Sequence, residues 1–350
     1  SDDDRSRAAA TDTGVTMDND IQILLDDKEI TKVQSLHIEK NTQSEANIFN
    51  FKIENGCDRY TDIFYQTIGE LIEVGISGIV CFRGFVDNAG FIYYPQQTID
   101  IAGRDYTGIL IDEIVTANLA IKFYGKTASQ IVKIIADHYK FETDLQATGS
   151  MYLEDKSYAE GSSAWDVIRG LAEKEGVDSY VTKDKKLVFK KREIPTQIKR
   201  VYALKPDEGI VPASLNIEQD KTLSSALKVR VISYDPKTKE KIVYTAESSD
   251  RKRINYKIVT VRDNTLKSKK EAAARAEALL RQYSKELVTG SLSAPLDPGV
   301  DEGDGIEIKG IELAGKYYVT DVIHDYGVAG KTTEVRFASK VLSEAKTVEE

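Results

Sequence analysis

Apolar and polar residues alternate with a two-residue period over much of the chain's first third. Leu36 and Ile38 flank His37, and Phe49, Phe51 and Ile53 are separated by Asn50 and Lys52. That period belongs to half-buried antiparallel strands. IQILLDDKEI adds a turn at Asp26-Asp27. GELIEVGISG, IVCFRGFVDNAG and FIYYPQQTIDIAGRD continue the pattern, with glycines at positions 69, 75, 78, 84, 90 and 103 as punctuation. Short glycine-bounded strands without long helices between them predict a small antiparallel barrel or sandwich over about residues 20–105.

The period changes over 106–198. Thr127 with Gln130 forms a candidate capping box for a helix carrying Ile131, Ile134, Ile135 and His138 on one side. Ser163 with Asp166 suggests a second cap, followed by the stripe Trp165, Ile168, Leu171 and Ala172, with Gly176 as terminator. DSYVTKDKKLVFKKR reads as a hairpin with a charged tip, and Trp165 is expected to anchor its helix against the strand at 187–189. This is a small α+β unit. Strands return over 199–345, interrupted by one helix (268–288) that Ser268 and Glu271 would cap and Gly290 would end. SLSAPLDPGVDEGDGIEIKG, KYYVTDVIHDYG and TTEVRFAS are again short strands with glycine turns. Residues 1–19 and 346–350 read as tails, the first disordered or ordered by a partner. Two β-rich segments flanking a mixed one suggest a duplication at domain level.

Charge and composition narrow the chemistry. Among 350 residues, 48 are basic and 57 acidic, giving a net charge of −9. This balance disfavours a protein that wraps nucleic acid, though not a channel that nucleic acid passes through. No apolar run approaches the roughly 18 residues of a membrane span, and SDDDRSRAAATDTG lacks the basic and apolar regions of a secretion signal. Cys57 and Cys81 could pair across a hairpin, but two free thiols in a reducing cytoplasm is the favoured reading. His37, His138 and His324 fall in separate segments and in no metal-binding spacing, so each reads as a surface or structural residue. Asp301, Glu302 and Asp304 crowd together without the pattern of a calcium loop; a turn leading into an Ile306/Ile308 strand is favoured over weak cation binding. No phosphate loop, dinucleotide fingerprint or nucleophile elbow occurs, so no catalytic, cofactor or metal residues are assigned. The basic clusters at 183–192, 251–253 and 267–270 read as hairpin tips and a helix start, and the 18 tyrosines suit either interfaces or strands.

The order of these segments resembles the baseplate hub family of contractile phage tails, including the late control protein D group and the hub part of type VI secretion spike proteins. ITKVQSLHIEKNTQSEANIFNFKIEN resembles its first strands, GELIEVGIS with CFRGFVDN its next hairpin, and IDIAGRDYTGILID the passage into its middle domain. SSAWDVIRGLAEKEGVDSYVTKDKKLVFKK resembles its helix and hairpin. AEALLRQYSKELVTGSLSAPLDPGVDEGDGIEIKG with GKYYVTDVIHDYGVAGKTTEVRFAS resembles its returning helix and last barrel.

The resemblance implies a mainly β chain with two related barrels around an α+β unit, three copies of which form a pseudo-sixfold ring. Such a ring matches a sixfold tail tube to a threefold central spike and initiates the tube, without catalysis or cofactor. The expected partners are two further copies, the tube protein, a separate spike (fused spike proteins continue beyond the point corresponding to Glu350) and other baseplate proteins. DNA could pass through an acidic lumen. The expected location is a tail baseplate or injection particle, assembled in the host bacterial cytoplasm without membrane insertion. Interface candidates are Phe82, Phe85, Val86, Tyr93, Tyr94, Tyr317, Tyr318, Val319, Asp321 and His324. The rival readings are a tail-associated peptidoglycan or glycan hydrolase and a glycan-binding module.

Overall fold

The computed structural model describes residues 21–30, 32–42, 46–54, 67–94, 97–146, 160–219, 227–234, 238, 240–248, 257–264, 266, 268–283, 288–339 and 345–348. The first strands are β1 (Ile21–Leu25), β2 (Lys28–Ile30), β3 (Val33–Asn41), β4 (Ile48–Glu54), β5 (Leu71–Ile76), β6 (Ile79–Ile92) and β7 (Thr98–Asp105). Asp26 and Asp27 both have positive φ, 46° and 59°, the backbone that a two-residue hairpin loop requires. Alternation along the strands sends Leu36, Ile38, Phe49, Phe51, Ile53, Phe82 and Val86 into one apolar core. Phe49 meets Phe82 edge-to-face with ring centres 5.2 Å apart.

The middle unit contains α1 (Thr107–Asp112), α2 (Ala117–Ala120), a 3-10 turn (Ile121–Phe123), α3 (Ala128–His138), β8 (Glu142–Leu145), α4 (Ala164–Glu175), β9 (Asp178–Val181) and β10 (Lys186–Lys190). Its helix starts follow the sequence reading: the Gln130 N–H donates to Thr127 Oγ1 and the Thr127 N–H to Gln130 Oε1, while the Asp166 N–H donates to Ser163 Oγ at 3.0 Å. Trp165 is buried with Ile168, Leu171, Leu187 and Phe189. The hairpin gains a third strand, β8, which pairs with β10 in parallel.

The last third divides. One part is a four-stranded sheet of β13 (Leu227–Tyr234), β14 (Lys241–Ser248), β15 (Lys257–Arg262) and β20 (Ala345–Val348), covered by α5 (Lys269–Tyr283). The expected helix end at 284–288 lies mostly outside the described residues, as do Cys57 and the 251–253 basic cluster. The other part comprises β11 (Ile198–Ala203), β12 (Ser214–Gln219), β16 (Val288–Pro295), β17 (Gly305–Lys309), β18 (Gly315–Gly327) and β19 (Gly330–Ala338).

These strands do not form a second sheet apart from the first, as two flanking barrels would require. They join it in one 13-stranded sheet, and no closed barrel is found among the described residues. The reason lies in β18. Its first residues pair with β17, from Gly315↔Ile308 to Tyr318↔Gly305, and Asp321–Tyr326 then pair with Asn41–Leu36 of β3. Between them the register slips at Thr320, whose carbonyl accepts the Thr42 N–H. A bulge bends the strand there and lets it change partners. Among the described residues no helix is long and apolar enough to cross a membrane.

Gly103 sits where β6 and β7 cross most closely. A Cβ at that position would stand 2.0 Å from the Phe85 carbonyl oxygen and 2.7 Å from the Phe49 ring. Gly103→Ala is therefore expected to destabilise the fold by about 1–3 kcal/mol, measured by urea unfolding.

Candidate functional site

The inward row of β3 runs Leu36, Ile38, Lys40. The same two-residue period that buries the apolar residues thus drives an ammonium into the interior, where Lys40 is 2% exposed. Pairing of Lys40 with Val322 of β18 places it at the seam of the joined sheet.

Its counter-ion comes from the loop before β17. Lys40 Nζ contacts Asp301 Oδ1, and the other carboxylate oxygen accepts Lys183 Nζ at 2.6 Å from the tip of the β9–β10 hairpin. The loop is fixed by the Asp301 N–H donating to Asp304 Oδ2, and by the Gly303 N–H donating to the Val319 carbonyl. Gly303 has φ 84°, and a Cβ there would stand 2.2 Å from the Tyr180 hydroxyl. Beside Asp301, Glu302 accepts Asn47 Nδ2 at 3.1 Å. Asn47 also takes the Asn41 N–H on its side-chain oxygen and the Asp105 N–H on its carbonyl. The Asp105 carboxyl receives the Thr107 N–H on Oδ1, which starts α1, while its buried Oδ2 has no hydrogen-bond partner. Arg83 adds a second tie to the hairpin through Asp184 at 2.6 Å. Together these groups line a cavity of about 350 Å³ between the joined sheet and the middle unit.

Burial sets the charge states. It draws the Lys40 ammonium down, but the Asp301 and Glu302 charges outweigh it and hold Lys40 above its ordinary value. Burial likewise pushes Asp301 up, yet Lys40 and Lys183 keep it below the usual carboxylate range. For Glu302 burial prevails, taking it to about 8, and it takes Asp105 to about 7. Lys40 Nζ donates to the Cys81 backbone carbonyl at 3.4 Å, and burial pushes the Cys81 thiol up to about 11. His324, 1% exposed and bonded through Nδ1 to Thr333, lies well below its ordinary value because of burial and the Lys40 charge.

The sequence-derived residues are only partly at a surface. Phe82 and Val86 belong to the first core, Tyr317 and Val319 to the second, and Tyr318 and His324 are buried beside them. Within this chain they are packed in the interior. Asp321 and Phe85 are half-buried, Phe85 lying edge-to-face on Tyr106. Tyr93 and Tyr94, at the end of β6, are 73% and 87% exposed. The Asp301–Asp304 segment is a turn faced by Lys40, Lys183 and Lys199. Among the described residues no three His, Cys, Asp or Glu side chains are grouped to hold a metal. Both Asp301 oxygens face lysine ammonium groups. Sequence reasoning missed Lys40, although its inward phase in an alternating strand was a usable signal.

A family model described as YQBQ-like matches residues 36–336. No curated protein matches the chain by sequence. Among solved structures, the tail protein from Neisseria meningitidis MC58 has a TM-score of 0.68 at 18% identity, covering 93% of this chain and 98% of that one. The 43 kDa tail protein of prophage MuSo2 from Shewanella oneidensis gives 0.69 at 15% identity, covering 91% and 98%. The E. coli c3393 protein is a type VI secretion component described as structurally similar to the T4 tail proteins gp27 and gp5. It gives 0.58 at 8% identity, covering 93% and 79%. At these identities the likeness is one of fold: the chain shares the architecture of phage tail and secretion-system proteins over almost its whole length.

The charge states make stability depend on pH in two directions. Asp301, held low, stabilises the fold above its ordinary value of 3.8, and that contribution is lost as pH falls through its folded value. Glu302, held high, binds its proton more tightly in the fold, so its contribution is full below 4.5 and declines as pH rises to about 8. Glu302→Gln is expected to remove that second decline, leaving the variant more stable than the parent at alkaline pH. Denaturation midpoints across a pH series measure the difference. Lys40→Met strands Asp301 beside a single lysine and is expected to cost about 3–5 kcal/mol at neutral pH, measured by the same unfolding assay.

Proposed function

We propose that this chain, which belongs to the YQBQ-like family, is a structural hub of a phage-type tail baseplate or injection particle, acting by assembly and breaking no bond. The observation that supports this reading is the fold shared with tail proteins over 93% and 91% of this chain. In this reading three copies form a ring in which the two β-rich portions of each subunit present six similar faces to the tail tube and three to a central spike. The tube protein, the spike and other baseplate proteins are the partners.

The strand path ends at β12 and β2, and such sheet ends can pair with or pack on neighbouring chains. The exposed Tyr93 and Tyr94 suit a contact that keeps their hydroxyls satisfied. The net charge of −9 suits an acidic lumen that DNA passes without sticking.

Light scattering over a concentration series, alone and with spike and tube proteins, tests the reading. The expected result is a species near three times 39.0 kDa that nucleates tube protein. A monomer that recruits neither partner and clears peptidoglycan would overturn it in favour of a hydrolase. Tyr94→Ser is expected to leave the unfolding midpoint unchanged, within about 0.5 kcal/mol, and to weaken co-assembly in sedimentation.

A further inference from the structure

The three-stranded sheet of the middle unit has the order β8-β10-β9, so among the described residues β8 is paired along one side only. Its phase is fixed by two backbone hydrogen bonds. The Glu142 N–H donates to the Lys185 carbonyl at 3.2 Å, and the Gln146 N–H to the Phe189 carbonyl at 3.0 Å. Backbone groups of successive strand residues point to alternate sides. The N–H and C=O of Thr143 and Leu145 therefore face away from β10, along an edge that no described strand covers.

A groove runs beside that edge. Alternation turns Asp144 toward Lys190 and the first cavity, and Leu145 to the other face, where α3 lies. There Leu145 and Ile134, both half-buried against the middle core, floor an open groove of about 410 Å³. Its remaining wall is Lys126, Ser129, Gln130 and Lys133, so the lining holds two cations and no carboxylate. Lys126 makes no ion pair among the described residues. Lys133 holds Asp137 in an exposed pair at 2.7 Å, which water and a competing carboxylate exchange cheaply.

We propose that β8 and this groove take an extended acidic segment of a partner protein, added to the sheet as a further strand. Main-chain bonds to Thr143 and Leu145 supply affinity, and alternate side chains entering the groove supply selectivity. The charges fix the pattern. Lys126 and Lys133 stand seven positions apart on α3, about 10 Å along its axis, comparable to the roughly 13 Å between the first and fifth residues of a strand. An acid at each of those two positions meets a lysine, and an apolar residue midway lies over Ile134 and Leu145. The intervening residues face the side of β8 that carries Glu142 and Asp144, which disfavours acids there. The segment thus reads acid, neutral, apolar, neutral, acid. This inference goes beyond the hub reading and does not depend on it.

Fluorescence anisotropy of the full chain with the labelled peptide Thr-Glu-Thr-Leu-Thr-Glu-Thr tests the proposal. Saturable binding is expected, with the analogue carrying Lys in place of both Glu weaker by about tenfold. N-methylation of one alternate set of peptide nitrogens is expected to weaken binding by a similar factor, and methylation of the other set to leave it unchanged, because a strand bonds its neighbour with every second residue. Lys126→Glu with Lys133→Glu is expected to reverse the preference between the two peptides. Should that variant not fold, the peptide series on the parent protein decides. At saturation, exchange of the Thr143 and Leu145 amides is expected to slow about tenfold. Absence of binding, or binding indifferent to peptide charge and to the methylated set, would overturn the proposal. So would Thr143 and Leu145 amides already protected in the peptide-free protein, which would mean that this chain or a second copy covers the edge.

Discussion

Lys40 is the constraint on which the rest of the arrangement depends. Taking an ammonium out of water costs several kcal/mol unless a carboxylate meets it in good geometry. That carboxylate, Asp301, lies 261 positions later in the chain. Removing either partner leaves the other buried and unpaired, the costliest state for such a site. The β3 strand therefore reaches its low-energy environment only when β18 has closed the seam and the loop before β17 has delivered Asp301. Cooperation between the first and last portions of the sheet follows from this one charge as much as from the apolar cores on either side.

The β18 strand provides the geometry. A straight 13-residue strand could remain with β17 throughout and leave β3 as an edge. The slip at Thr320 turns the second half of β18 away from β17 and onto β3, while β19 stays paired along the other side. Open edges are prone to wrong pairing, and this exchange removes two of them inside one molecule. Such a join cannot be read from local pattern. Alternation identifies that a segment is a strand and which face is buried, but the choice of partner depends on which edge is free in space.

That distinction explains what was legible. The capping pairs Thr127–Gln130 and Ser163–Asp166, the Asp26-Asp27 turn and the Gly176 terminator are local chemistry, and each stands where the spacing placed it. The parallel strand β8 was not legible, because Glu142–Leu145 has no distinctive pattern and gains its identity from β10. The burial of the last hairpin's tyrosines was not legible for a related reason. Tyr317, Tyr318 and Val319 are consecutive, and on a sheet covered on one face some should point outward. Here Tyr317 packs on Phe337, while Tyr318 faces the middle unit beneath the Arg192 guanidinium, 5.2 Å from its ring centre. Both faces of β18 are covered locally, so residues that resemble an interface in sequence are used within the chain. Tyr93 and Tyr94, beyond the end of β6, are the candidates left most exposed.

The ties between the sheet and the middle unit then differ in kind. Arg192 and Asp178 form an ion pair at 2.8 Å with both side chains almost fully buried, and the ring of Tyr318 covers the guanidinium. This contact has little water to exchange. Lys183, Asp184 and Arg83 at the opposite end of the hairpin are partly exposed, so water and salt compete for their ion pairs. A hairpin buried at its base and hydrated at its tip has one end that can open while the other stays packed. The two ends are still linked, because Tyr180 of β9 hydrogen-bonds Tyr318 at the base and lies beside Glu302 near the tip.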